Sequence, residues 1–579
     1  MRERGSIAVL AAIWMLVAVA LLGTIDIGNV FFVRRNLQGV ADMAAIAAAQ
    51  RMDALCQQPA TAANANATAN GFDPTQSGNT LAISCLRWDP QYYGSPSYYG
   101  TTSTPLNAAQ VTVTQNVPYF FFGPNRQVQA VSTARAVNTD QFTLGTTLAN
   151  VQNGLVNNLL GPLLGVSLNL SAASYTALVN TQVTVQDLVV AAGVGSLSQL
   201  LALQVSTAKF MQILLNAVTR TQVLNTSLQA GQSALSTLIN ANIPGGTVNI
   251  GNLPGQPGVL ALALSNTQSA VNTQVNVFDM VMVAAEVAAA GKPAVNLGTQ
   301  LQLGLLTSSL QVQIIQPPVV AVGEDGINPA TGTWRTQANT ADVRLYLNVN
   351  LGTTNLSATG VLAPLLLVIG NIIPISVNLP LSLEAVPGYA WLQSTNCAPT
   401  AAASTAVIGV QPGLANLCIG NQPANPSANQ PFSCSTPATL VSVSVLTIPV
   451  LQVMANVALP AVVPAANSTT LTFNGITGDA DDYQTSNSNA VGSVLTNALQ
   501  GAAQALTAPN GLTLYVLGLG VPVGSVLGPL VSLLTTVLSP LLSSLDQVVM
   551  PLLNLLGAQV GIATVHNEAL TCGAAQTVY

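Results

Sequence analysis

SIAVLAAIWMLVAVALLGTI, residues 6–25, holds no charged side chain, and Arg2 and Arg4 stand just ahead of it. At helical rise these residues span ~30 Å, the thickness of a bilayer's hydrocarbon core. Ile7, Val9, Leu10, Trp14, Leu16, Leu21, Leu22 and Ile25 give the stretch an apolar surface all round, so it reads as a membrane anchor. Asp26, Arg34 and Arg35 mark the anchor's outer edge. A cleaved secretory signal shares the basic start, and Ala18-Val19-Ala20 has the small residues of a cleavage site. An apolar signal core normally runs only ~7–15 residues, whereas this one passes Ala20 without a break, so retention is the favoured reading.

Past the span the pattern changes without stopping. Val30, Val33, Leu37, Val40, Ala44, Ala47, Ala48, Met52 and Leu55 recur at three- and four-residue steps, while Arg34, Arg35, Asn36, Gln38, Asp42 and Asp53 avoid that stripe. The spacing predicts an amphipathic stalk helix to residue 55, rich in alanine, the strongest helix former. Asp26 is expected to be a hydrated carboxylate at the interface. Arginines on both sides of the span leave the positive-inside rule undecided. The remainder of the chain has only two lysines, Lys209 and Lys292, and no Lys or Arg after Arg344. A body so poor in basic residues suits translocation, which places it outside the cytoplasmic membrane.

Composition agrees. Only 6% of residues are charged, net charge is −6, half are hydrophobic and 4% aromatic. A globular cytosolic protein carries about 25% charged residues. Ser, Thr, Asn and Gln must therefore supply the polar surface, and the absence of a basic patch argues against nucleic acid as a partner. Cys56, Cys85, Cys397, Cys418, Cys434 and Cys572 form no CxxC pair, and His566 is the one histidine. Metal binding is disfavoured on that spacing. An even cysteine count in an oxidising compartment reads as disulfides: Cys56 with Cys85 first, the other four open to three pairings.

Five consecutive segments follow from these patterns. Residues 1–55 are anchor and stalk, and 56–140 a small strand-containing module whose first part, to residue 107, is turn-rich. Residues 141–295 are mainly helical, 296–510 mainly β with cysteine-containing loops, and 511–579 a helical, amphipathic end punctuated by Pro529, Pro540 and Pro551. Val111 and Val113 alternate with polar neighbours, and a return strand runs through Val128, Ala130 and Ser132 after the aromatic knot Tyr119–Phe122. The same alternation marks strands at Val343–Leu351 and Ile375–Leu383, with apolar Gly360–Ile373 between them read as core. A Gln-Val step recurs at Gln182 and Gln204, too short to establish a repeat. The fold class is α+β: one transmembrane and stalk helix, then a mixed extracytoplasmic region.

Several N-terminal strings resemble a known family: Arg4-Gly-Ser-Ile-Ala-Val9, Ile25-Asp-Ile-Gly28, Arg35-Asn-Leu-Gln38 and Ala41-Asp-Met-Ala-Ala-Ile-Ala-Ala-Ala49. They are similar to the N-terminal membrane module of TadG-like proteins of bacterial tight-adherence (Tad, or Flp) pilus assembly. The ending Leu555-Leu-Gly-Ala-Gln-Val-Gly-Ile-Ala563 with Cys572-Gly573 resembles the close of long members. The resemblance implies an accessory protein of the bacterial inner membrane, facing the periplasm, whose partners are the membrane and pilus subunits or other assembly proteins. It implies no enzymatic activity, cofactor or small-molecule substrate. Two departures bear on that reading. Leu10 stands where class III prepilins have a glutamate, and the Asp-x-Ser-x-Ser motif of metal-dependent adhesion domains is missing.

Residue chemistry offers little else. A Ser/His/Asp triad would have to use His566, no Gly-x-Ser-x-Gly elbow accompanies it, and a lone histidine is mostly structural. Asp479, Asp481 and Asp482 present oxygen ligands for Ca²⁺ but lack the EF-hand loop, so a solvated acidic turn is favoured. The competing function is an adhesin-like binding module working through that turn or through polar loops.

Overall fold

In a computed structural model the described residues are 3–578, apart from 146–154, 221–225, 264–272, 298–306, 352–374, 422–429, 463–467, 488–511, 522–548 and breaks of one to three residues. The fold is α+β. Helix α1, Glu3–Ala49, is continuous for 47 residues, and a short α2, Gln57–Ala69, follows it. Strands β1 (Asn79–Trp88), β2 (Tyr99–Gly100), β3 (Ala108–Val117) and β4 (Arg126–Arg135) form one sheet in the order β2-β1-β3-β4, closed at the far edge by Gln576–Thr577. The chain's last strand therefore lies beside one of its first.

The expected turn-rich stretch 56–107 contains α2 and β1. Ala-rich Gln57–Ala69 has helix propensity but no large apolar residue to give it a period. In β1, Leu81, Ile83 and Cys85 pack on the module's core while the alternate side chains face away, an alternation diluted by Ala82 and Ser84. The β3–β4 pairing places Val111 opposite Ser132 and Val113 opposite Ala130.

Among the described residues the body has three larger sheets and a two-stranded one pairing Gln182–Thr184 with Gln274–Asn276. A seven-stranded sheet runs in the order Tyr483–Asn487, Ile562–Thr571, β5 (Thr139–Leu144), Val320–Gly323, Gly258–Ala263, Thr247–Gly251, Gln204–Ser206. A larger sheet contains Thr307–Gln316, Asp342–Leu351 and Ile375–Val386 at its centre, with Val343 opposite Ala385. A four-stranded sheet joins Gln337–Asn339, Tyr389–Asn396, Thr405–Gln411 and Thr469–Phe473. The seven-stranded sheet thus takes strands from four of the five segments read along the chain. At the C-terminal end the described residues include strands at Leu512–Val516, Leu519–Val521 and Ile562–Thr571 and a helical turn at 552–555, while most of the expected amphipathic helix lies outside the described residues. Ala563 and Val565 fill the inner face of that last strand. Pro529, Pro540 and Pro551, and the apolar run Gly360–Ile373, lie outside the described residues.

The Gln-Val step proves to be a structural recurrence with a third copy. Gln182-Val-Thr184, Gln204-Val-Ser206 and Gln274-Val-Asn276 are each a three-residue strand leading into a helix. The third residue caps that helix each time. Thr184 Oγ1 accepts from Asp187 N–H at 3.0 Å, Ser206 Oγ from Lys209 N–H at 3.2 Å, and Asn276 Oδ1 from Phe278 N–H at 2.9 Å. Short polar side chains at this position satisfy the orphan amides of the first turn. The third helix, Val277–Ala289, is buried on every side.

Candidate membrane-anchoring site

Helix α1 has two environments. Ile7, Leu10, Trp14, Leu16 and Leu21 are 60–72% exposed, and the stretch is long and apolar enough to cross a membrane. From Leu37 onward the helix lies on the sheet, where Leu37, Val40, Ala41, Ala44, Ala45, Ala48, Ala49 and Met52 are buried against Val111, Val113, Val128 and Ala130. Alanines on this face let the helix approach the strands closely, and the apolar area removed from water supplies the driving force. The stripe ends at Met52: Leu55, read as its last member, is exposed. The helix itself has ended at Ala49, and Asp53 beyond it caps α2, accepting from Gln57 N–H at 3.1 Å and Gln58 N–H at 2.9 Å.

Asp26 is the residue that sequence reasoning misplaced. It is 2% exposed, and its carboxylate accepts from the backbone N–H of Phe120 at 2.7 Å and of Phe121 at 3.2 Å. The β3–β4 hairpin tip thus closes on α1 one residue beyond the apolar run. A carboxylate on two main-chain donors is a charge-assisted clasp, stronger than neutral hydrogen bonds. The signal was present in the adjacent aromatics and turn residues of Tyr119–Pro124, but their partner lay 94 residues away.

Around the clasp, Phe31, Phe32, Phe120 and Phe121 are half or more exposed, and Arg34, Arg35 and Arg126 are exposed with them. A groove of about 350 Å³ between helix and hairpin is lined by Ile27, Phe31, Arg34, Tyr119 and Arg126. Lower down, Gln38 Nε2 donates to the Val131 carbonyl at 3.2 Å, and the Cys56–Cys85 bond ties the end of the stalk to β1. The remaining cysteines join as Cys397–Cys572 and Cys418–Cys434.

The acidic turn brings Asp479, Asp481 and Asp482 together, and the turn's own donors engage them. Asn474 N–H donates to Asp481 at 3.0 Å, Asn474 Nδ2 to Asp479 at 2.7 Å, and Gly478 N–H to Asp482 at 2.6 Å.

His566 lies elsewhere than at a surface. It is buried, its Nδ1 is 3.3 Å from Asp279 Oδ2, and Tyr483 stacks on it with ring centroids 4.1 Å apart. Glu568 is fully buried beside them and accepts from Asn276 N–H at 2.8 Å and from Gln141 Nε2. Burial, followed by the neighbouring Asp279 carboxylate, pushes the Glu568 carboxyl far above the usual range. Asp140, hydrogen-bonded by Asn567, is pushed up to about 8 by burial. No serine hydroxyl is paired with His566 among the described contacts. Asp279 escaped the sequence reading, although it occupies in Gln274-Val-Asn-Val-Phe-Asp279 the place Asp187 occupies in the first copy.

One helix, long and apolar enough in its first half to cross a membrane, thus docks by its second half on an antiparallel sheet. Residues 5–51 match the family model described as Flp pilus-assembly TadE/G-like, and residues 47–134 the one described as Tad-like Flp pilus-assembly. These two matches cover α1 and the sheet β1–β4, and in this region the chain is TadG-like. Residues 152–286, which include all three Gln-Val copies, match a domain of unknown function, DUF8293. No curated protein sequence and no solved structure matches the chain.

Proposed function

We propose that this chain is an accessory structural protein of tight-adherence (Flp) pilus assembly, anchored in the bacterial inner membrane with its body in the periplasm, and acting by protein–protein interaction without catalysis. The Asp26 clasp is the observation that supports this reading best. It fixes the sheet module at the end of the apolar span, so the module sits on the membrane surface and α1 acts as a rigid post. Phe31, Phe32, Phe120 and Phe121 then lie at headgroup depth, where exposed aromatic rings are favoured, with Arg34, Arg35 and Arg126 beside the phosphates. The three cystines suit an oxidising compartment.

The test is protease accessibility in intact and osmotically shocked cells. A membrane-bound full-length chain, degraded only once the outer barrier is opened, supports the assignment, as does loss of pilus display on deletion. Mature chain in the culture fluid lacking residues 1–20 would defeat the anchoring. A tryptophan at Phe120 quenched by brominated lipid would support the headgroup depth; unquenched emission would count against it. An adhesin-like role for the polar loops is the second reading, and Ca²⁺-dependent cell binding through the turn at Asp479–Asp482 would favour it.

A further inference from the structure

We infer that Asp279, His566 and Glu568 form a binding site for one divalent transition-metal ion of the Zn²⁺ or Mn²⁺ class. One candidate ligand atom from each residue lies within 4.8 Å of the other two, and the three residues are 1%, 4% and 0% exposed. They come from two elements, the first turn of helix Val277–Ala289 and the strand Ile562–Thr571.

Charge balance is the first argument. Two carboxyl groups share this interior with an imidazole, and among the described residues no arginine or lysine pairs with them: Arg87 pairs with Glu324, Arg335 with Asp89, Arg344 with Glu384, and Arg135 lies beside Glu324, Arg87 and Asp89. Asp279 meets the His566 imidazole at 3.3 Å and the Thr143 hydroxyl at 3.4 Å, both long contacts, and a cation between the two carboxyl groups offsets the cost of burying them ionised.

Unused ligand capacity is the second. Asp279 Oδ1 and Glu568 Oε1 are buried and receive no hydrogen bond from an N–H or hydroxyl donor, the two carboxyl groups facing each other, and Oε1 of Gln141, whose amide already reaches Glu568, is likewise without a donor. Three orphaned oxygens beside an imidazole nitrogen make an incomplete coordination shell, not a closed hydrogen-bond network.

Geometry is the third. A charge-assisted N–H···O⁻ bond is ordinarily about 2.7–2.9 Å. The His566 Nδ1 to Asp279 Oδ2 separation is 3.3 Å. Two ligands bound to one tetrahedral metal at about 2.0–2.1 Å stand about 3.3 Å apart, the edge of the tetrahedron. Tyr483 stacked on the ring and Asn276 N–H on Glu568 Oε2 hold two of the ligands in place from outside, as supporting groups do around metal centres. The donor set selects the metal class: the imidazole suits Zn²⁺, the two carboxylates suit Mn²⁺, and neither matches the all-oxygen shells of Ca²⁺ and Mg²⁺. The sequence expectation against metal rested on short ligand spacing, whereas folding brings residues 287 positions apart into contact.

The test is metal analysis of the full chain purified in detergent after growth with Zn²⁺ or Mn²⁺. About one equivalent is expected, retained through gel filtration. Glu568→Gln and Asp279→Asn, which preserve shape and hydrogen bonding, are expected to reduce the bound metal at least tenfold. Asp481→Asn in the nearby acidic turn should leave it unchanged. Loading the stripped chain with Co²⁺ gives a second readout, a visible absorption band that disappears with His566→Gln. A chain without Zn²⁺ or Mn²⁺, metal unaffected by Glu568→Gln, metal lost with Asp481→Asn, or uptake of Ca²⁺ alone would each overturn the site.

Discussion

In the N-terminal module, strand partners lie near one another in sequence: Val113 pairs with Ala130, and the Cys56–Cys85 bond closes 29 residues. In the body, Thr571 pairs with Thr139, and Cys397–Cys572 closes 175 residues. Local pairing costs little loop entropy, so the module can form early and on its own terms. The body's central sheet must wait for both ends of the chain. The same difference separates their cores. Alanines against a helix build the first, whereas the second is a large aliphatic cluster drawn from residues 156 to 560.

Cystine removal should expose this contrast most strongly. If the bonds act by restricting the unfolded chain, loss of Cys397–Cys572 by paired serine substitution costs roughly 5 kcal/mol, against roughly 3.5 for Cys56–Cys85. Denaturant midpoints of the full chain in detergent check the order. Equal losses would mean that the body's long closure adds nothing beyond the short one.

The seam between the two regions comes next. Arg87 of β1 meets Glu324 at 2.8 Å, and Asp89 just past β1 meets Arg335 at 2.8 Å, all four side chains nearly inaccessible. Arg87→Ala leaves Glu324 buried without its charge partner and is expected to cost about 3–5 kcal/mol. Replacing both Arg87 and Glu324 by apolar residues of similar volume should cost far less. Limited proteolysis would then release the body from the module in Arg87→Ala and not in the double variant.

Legibility followed the same division. The span, the stalk stripe to Met52 and the β3–β4 alternation could be read because each is a short-range period, 3.6 or 2 residues. Asp26 could not be placed, since its partners are main-chain amides across the hairpin and leave no mark in side-chain pattern. Arg87, Glu324 and Asp325 carry no local period either, and they are recognised only when the sheets meet. In the metal-candidate cluster, His566 and Glu568 stood side by side in view, while Asp279 was hidden inside a Gln-Val copy that lay seventy positions from its neighbour.

pH offers a milder probe of the seam. Burial pushes the Asp325 carboxyl up to about 6, against hydrogen bonds from Thr395 that act to lower it. Asp342 is likewise pushed up to about 6, by burial and then by Glu384. The folded state therefore keeps these protons after the unfolded chain has released them. Their contribution to stability falls as pH rises from about 4 to about 6 and levels off above, by about 1–3 kcal/mol for Asp325, while buried Asp140 extends the decline towards pH 8. Asp325→Asn should flatten that decline while keeping the Thr395 contacts. An unchanged slope would mean that Asp325 is ionised in the folded chain across this range.

The three Gln-Val copies test whether the body has any local logic of its own. Thr184→Ala, Ser206→Ala and Asn276→Ala each remove one helix cap, worth about 1 kcal/mol. Equal costs would show three independent caps. Asn276 does more than the other two: its amide nitrogen also donates to the Val179 carbonyl, and its backbone N–H holds Glu568. Its strand pairs with the first copy, Val275 opposite Val183. Asn276→Ala should therefore exceed the others through the lost Val179 bond, and the excess should shrink in a Glu568→Gln background, because loosening the capped turn shifts the backbone N–H from which Glu568 accepts. If the three losses instead come out alike and additive with Glu568→Gln, the recurrence is a matter of helix starts alone, and the body's cohesion rests wholly on its long-range sheets.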